Sequence, residues 1–253
     1  MARKATGPAK PGAQSPRIDG ARFAELKARQ RALREGFPET LGLRVHRALS
    51  WLDRAERETE DADTRFILLW IGFNSAYASD IGDDYLSEQG QFRSFFRTLA
   101  ELDADGAIHA VLWSRFSNEV RTLLVNPHVF PDFWRHHNGE PGYADWRDRL
   151  EAQRKEIFAS LGAKDSGKVL GLVFERLYVL RNQLVHGGAT WNSSVNRAQV
   201  RDGAALLGRL LPAFIEIQMA RPDRDWGRPH YPVVESTPRP VRAEGPAAGR
   251  PRG

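Results

Sequence analysis

No segment of this chain alternates apolar and polar residues with a period of two over a useful length. Apolar residues recur instead at helical spacing in eight segments. A strand needs period two and a helix period 3.6, so the pattern excludes a sheet and predicts an all-α fold. The first predicted helix carries Phe23, Leu26 and Leu33 and stops at Gly36-Phe37-Pro38; the second carries Leu41, Val45, Ala48, Leu49, Leu52 and Ala55. Asp61 to Asp63 form an acidic break where the helix dipole favours a new N-terminus. The third helix, 64–79, is apolar nearly all round and is expected to be buried. Phe92, Phe95, Phe96 and Leu99 mark a fourth, Asp103 to Gly106 a turn, and Val111, Leu112, Phe116, Val120, Leu123 and Leu124 a fifth. Residues 126–143, with three prolines and two glycines, read as a long irregular insertion. Trp146, Leu150, Ile157 and Leu161 mark a sixth helix. The seventh runs from Lys168 to His186, strongly apolar and closed by Gly187-Gly188. The last spans about 197–220, with Asn196 and Gln199 spaced as a capping box and Pro212 expected to kink it. There is no internal repeat.

Composition narrows the class. The 253 residues suffice for a substantial core, and 41% hydrophobic with 27% charged is the balance of a globular protein. The absence of cysteine excludes disulfides and thiolate metal sites and makes a reducing compartment, the cytoplasm, the simplest expectation. The longest apolar run, Phe66 to Phe73, is too short to cross a bilayer, and no apolar stretch follows Arg3 and Lys4 as in a secretory signal, so no membrane association is expected. The net charge of +5 sits in the ends: 1–20 and 235–253 are both basic and rich in proline, whereas the body between them has as many acidic as basic residues. Both ends lack the apolar surface to fold and are read as disordered tails around one helical domain, 21–234. The charge alone therefore does not define a nucleic-acid face on the folded part.

Several chemistries fail on spacing. His136 and His137 are adjacent and cannot share a helix face, no His-Glu-x-x-His run exists, and Asp80 to Asp84 lacks the ligand pattern of a calcium loop and reads as a polar turn. No phosphate-binding Gly-x-x-x-x-Gly-Lys loop and no Gly-x-Ser-x-Gly elbow occurs. No metal and no cofactor is expected from these patterns.

The chemistry-bearing run is Arg181-Asn182-Gln183-Leu184-Val185-His186. Arg181 brings a permanent charge and a forked donor suited to phosphate, and the C-terminal end of the helix dipole favours a cation at His186. Asn182 and His186, four apart, share a face, whereas Arg181 and His186 diverge by about 140° on a regular helix. They converge only where the helix end is distorted or where a second copy of the motif faces the first. The plain structural alternative is that both side chains cap carbonyls at the helix end. Glu175 stands six residues earlier as a possible partner of the cation site or of a surface arginine, and Asn74 as a cleft residue or a satisfied core amide. Trp191 is read as packing the following loop onto the bundle, with base stacking as the alternative, and Trp226 with Tyr231 as pinning a C-terminal strap.

The whole string, an apolar helix reaching Arg-Asn-x-x-x-His, then Gly-Gly, a polar loop and a last long helix, resembles the HEPN family, whose signature is an Arg and a His four to six residues apart. Trp70-Ile71-Gly72-Phe73-Asn74-Ser75-Ala76-Tyr77 is similar to the early core helix of prokaryotic HEPN proteins. The resemblance spans about 40–220 and is carried by 64–80 and 168–220; the insertion at 126–143 departs from the minimal four-helix form. It implies a helical bundle that pairs as a homodimer, with the motif lining the cleft between subunits. It also implies a metal-independent endoribonuclease of toxin–antitoxin or defence biology, with RNA as substrate and an antitoxin or other protein as partner. His186 would then be general acid or base, Arg181 the stabiliser of transition-state charge, and Asn182 the residue that orients either. Some members keep the bundle as a non-catalytic module binding RNA, nucleotide or protein, and the neutral body fits that alternative.

Overall fold

The periodic segments fold as helices, and their apolar stripes meet in one core. In the computed structural model, which describes residues 22–78, 85–229, 231 and 233, there are ten α-helices and no strand among the described residues. They are α1 Arg22–Leu33, α2 Glu39–Arg57, α3 Ala62–Tyr77, α4 Tyr85–Glu101, α5 Ala107–Ala110, α6 Ser117–Val125, α7 Pro131–His137, α8 Trp146–Gly162, α9 Ser166–Val185 and α10 Arg197–Ala220. The basic ends 1–20 and 235–253 and the acidic turn 80–84 lie outside the described residues.

α3 packs chiefly against α2 and α10, and α9 chiefly against α4. The two halves are joined by four fully buried phenylalanines, one from each of α3, α4, α9 and α10: Phe73, Phe96, Phe174 and Phe214. Phe174 lies at the centre, its ring centroid 4.4 Å from Phe73, 4.6 Å from Phe96 and 5.9 Å from Phe214. Truncating such a ring costs about 3–5 kcal/mol, so this contact fixes the mutual placement of the four helices. Phe73 meets Phe174 while Trp70 meets Tyr178, so α3 and α9 run antiparallel. That antiparallel packing sets the N-terminal end of α3 beside the C-terminal end of α9.

All six apolar positions expected in α2 and all four in α8 are buried. Leu33, at the end of α1, is 40% exposed instead. α3 buries Phe66, Leu69, Trp70, Phe73 and Ala76, and leaves Ile67, Leu68 and Ile71 half-buried.

Three expectations are corrected. The fifth helix is not continuous: α5 passes into a π-turn at Val111–Arg115, where Phe116 N–H reaches back five residues to Val111 O at 3.1 Å, before α6 begins. The wider turn shifts the helical phase so that Val111 and Leu112 are buried at its start and Val120, Leu123 and Leu124 after it. The insertion is ordered: Pro127 and Pro131 begin a 3-10 turn, Pro127–Val129, and α7, because proline is preorganised for the first turn of a helix. It carries a small core of its own, Phe130, Trp146 and Leu150 with Phe133. No capping box forms at α10, since the Asn196 side chain is turned toward Gln183. In the C-terminal strap Trp226 packs against the core, while Tyr231 is 73% exposed.

The strap is held from inside by Arg44. Its guanidinium is fully buried and donates to the carbonyls of Ala76, Ala78, Gly227 and Arg228. Burial pushes its pKa down to about 10, against the opposing effect of Asp225. α10 continues through Pro212 and is long and apolar enough to cross a membrane by length and composition, but 72% of that stretch is buried inside the bundle, as in a core helix.

Candidate functional site

The run Arg181 to His186 occupies the last turn of α9 and its C-cap. The helix stays apolar up to Leu180, which is fully buried, and then emerges: Arg181 and Asn182 are half-buried, and Val185 and His186 exposed. The chain leaves through Gly187, whose φ of 69° suits glycine, and the His186 N–H closes on Asn182 O at 3.0 Å. Gly188 lies so close to the Gln183 carbonyl that a Cβ there would come within 3.3 Å of its oxygen. The chain therefore folds back tightly over the end of α9.

Arg181 Nη1 donates to Asn182 Oδ1 at 2.8 Å, and the guanidinium lies 5.7 Å from the centre of the Tyr178 ring. Both neighbours are uncharged, and no carboxylate among the described residues forms an ion pair with Arg181. Among the described residues, its positive charge is thus held in place without being neutralised. His186 closes the helix through its backbone N–H, and neither the Arg181 nor the His186 side chain caps a helix-end carbonyl among the described residues. Among the described residues no hydrogen bond or ring contact joins Arg181 to His186.

The two supporting residues fall elsewhere. Glu175 accepts from the buried Arg176 at 2.8 Å rather than from Arg181. Asn74 follows Phe73, which packs on Phe174, so it lies level with the middle of α9, about 10 Å along the axis from Arg181.

A second set of residues fixes the loop after the motif. Asp61 is the N-cap of α3 and accepts from the N–H groups of Asp63 and Thr64, from the Thr64 hydroxyl and, at 2.9 Å, from Trp191 Nε1. Burial works against its charge, yet the hydrogen bonds from Trp191, Thr64 and Asp63 hold its carboxyl below the usual carboxylate range. Asp63 Oδ2 accepts from Asn192 N at 2.8 Å and from Arg197 Nη2 at 2.9 Å. Gln183 joins the motif to both flanks, accepting from Asn196 Nδ2 at 3.2 Å and donating to the His128 carbonyl at 2.7 Å. The acidic break at Asp61–Asp63 was legible as a helix start, but its partners lie up to 134 positions away and leave no local signal.

Trp191 departs from its expected role. The indole is 74% exposed, so it does not pack the loop onto the bundle; only its N–H edge is fastened, to Asp61. Among the described residues no three histidine, aspartate or glutamate side chains are placed to hold a metal ion together.

Comparison with protein-family models, with curated proteins and with solved structures returns no match.

Proposed function

We propose that this chain is an endoribonuclease of the HEPN type, cleaving RNA without a metal by attack of the substrate's own 2′-hydroxyl. The observation that carries the reading is the un-neutralised Arg181, oriented by Asn182 in the same exposed helix end as His186. A structural arginine of this chain looks different: Arg176 and Arg44 are fully buried and engaged with carbonyls or carboxylates. In the reaction O2′ attacks the adjacent phosphorus, the P–O5′ bond breaks, and a 2′,3′-cyclic phosphate forms. His186 moves the proton, from O2′ as base or to O5′ as acid, and Arg181 offsets the charge growing on the phosphoryl oxygens.

Within one chain no contact joins Arg181 to His186, and five-residue spacing turns them apart on a regular helix, so the reading includes a homodimer. Tyr178 and Val185 of α9, seven residues apart on one helix face and 49% and 52% exposed, offer apolar surface for a second copy. Pairing across it would bring one protomer's Arg181 toward the other's His186. The same lack of contact within one chain supports a second reading, a non-catalytic module that binds RNA, nucleotide or a protein partner, such as an antitoxin, at this helix end.

The test is digestion of single-stranded RNA by the purified chain in the presence of a chelator. Cleavage should leave cyclic or 3′-phosphate ends and spare DNA. His186→Ala and Arg181→Ala should each lower the rate by about 10²–10⁴ while remaining folded. Equal rates for wild type and His186→Ala would leave only the binding module.

A further inference from the structure

We propose that Trp191 is the stacking platform for an unpaired base of the bound strand, a role that rests on the RNA reading above. A tryptophan that serves the fold buries its ring, as Trp70 and Trp146 do at 4% and 6% exposure. Trp191 leaves 74% of its surface in solvent, although it is not free to swing away. Its Nε1 donates to Asp61, and the next residue, Asn192, is held at a φ of 55° with its N–H on Asp63. Asp63 is in turn locked by Arg197, at side-chain exposures of 10% and 14%. Asp61 itself is the cap of α3. The ring is thereby fastened by its edge to a rigid helix end while its faces stay open. A preorganised open aromatic face loses little entropy on binding, which is what stacking a base requires.

The position fits the same substrate. Trp191 follows His186 by five residues, and the chain between them doubles back over the last turn of α9 through Gly187 and Gly188. Five residues reach at most roughly 18 Å even when extended, about the span of a few nucleotides. The charges around the ring sort the two parts of the strand. Asp61 holds the foot of the indole and repels phosphate, whereas Arg181 and His186 stand at the end of α9. A strand therefore lays a neutral base on Trp191 and turns its phosphates toward Arg181. A duplex, whose bases are already stacked, cannot use the ring. Stacking serves every base, so little sequence preference follows from this residue.

The experiment measures binding apart from cleavage. A labelled single-stranded 2′-O-methyl RNA, which cannot be cut, is titrated against full-length wild type, Trp191→Phe and Trp191→Ala, with a blunt RNA duplex as comparison. Trp191→Ala should weaken single-strand binding by about 10- to 100-fold and duplex binding hardly at all, while Trp191→Phe retains most of the affinity. Its melting temperature should stay close to wild type, because so little of the ring is buried. Equal affinity of Trp191→Ala and wild type overturns the proposal. So does a Trp191→Phe as weak as Trp191→Ala, which assigns the effect to the Asp61 hydrogen bond, and so does a melting loss of many degrees. Failure of the wild type to bind any strand overturns the RNA reading with it. Trp191-dependent binding with unimpaired cleavage by His186→Ala overturns only the chemistry assigned to His186.

Discussion

Asp63→Ala tests whether the loop that follows the motif is held by the α3 terminus. One carboxylate oxygen serves both Arg197 and the Asn192 N–H, at 2.9 and 2.8 Å. The Arg197 pair is largely out of water, its side chains 14% and 10% exposed. A hydrogen bond between charged groups is worth about 1.5–3 kcal/mol, and stranding one member of a buried pair costs about 3–5 kcal/mol. Arg197 keeps a second bond, to the Ser193 carbonyl, and the exposed Asn192 regains water, so the lower part of the range applies. Asp63 also sits in the first turn of α3, where its charge adds about 0.3–1 kcal/mol. The expected loss is about 2–4 kcal/mol, read from urea unfolding followed by far-UV circular dichroism. Arg197→Ala leaves the Asp63 carboxylate nearly buried, with Oδ1 already unpartnered, so it too should destabilise. The double variant should then cost less than the sum of the singles by about 1–2 kcal/mol. Singles that add to within about 0.5 kcal/mol, or an Asp63→Ala as stable as wild type, would refute the clamp.

Two further outcomes follow from other polar contacts. Arg176→Ala should cost about 3–5 kcal/mol and Arg176→Lys should not restore it, because the planar fork reaches Leu124 O, Gln153 and Glu175 while lying 4.9 Å from the Phe130 ring centre; full rescue by lysine in thermal melts would contradict this. The folded pKa of Asp61 is depressed below its ordinary value of 3.8, so the unfolded chain takes up the proton first. Its contribution is therefore complete above that value and is lost as pH falls through the lower, folded one. The indole N–H resonance of Trp191 should shift on acidification below about pH 4, and an unchanged acid midpoint in Asp61→Asn would show that another group is responsible.

What the sequence made legible was whatever depends on near neighbours. The apolar stripe of α2 and the stop of α9 at Gly187 follow from spacing and backbone freedom, and so does the arrival of Arg181 and His186 at a helix end. What stayed hidden depends on residues far apart in the chain. Gln153 meets Arg176 across 23 positions and Leu124 meets it across 52, so nothing near Arg176 marks it as buried. The Asn196–Gln199 spacing looked like a cap, but Gln183, 13 positions back, competes for the same side chain. The prolines of 126–143 were read as breakers when two of them start helices, since proline favours both outcomes and only packing decides.

The separate cluster around Phe130, Trp146 and Leu150 has a consequence for cooperativity. Val129, next to Phe130, belongs to the main core, and α8 runs from this cluster to Ile157 and Leu161 in that core, while the ties from α9 to the cluster include polar and π contacts, Arg176 over Phe130 and Gln183 to His128 O. Such ties are more readily exchanged for water than apolar contacts, so α7 and the start of α8 form a unit that can open while the four phenylalanines stay packed. In amide hydrogen exchange this unit would trade its protons through a sub-global opening, well below the free energy of full unfolding. Because Gln183 sits in the last turn of α9, each such opening would release one flank of the helix end that carries Arg181 and His186.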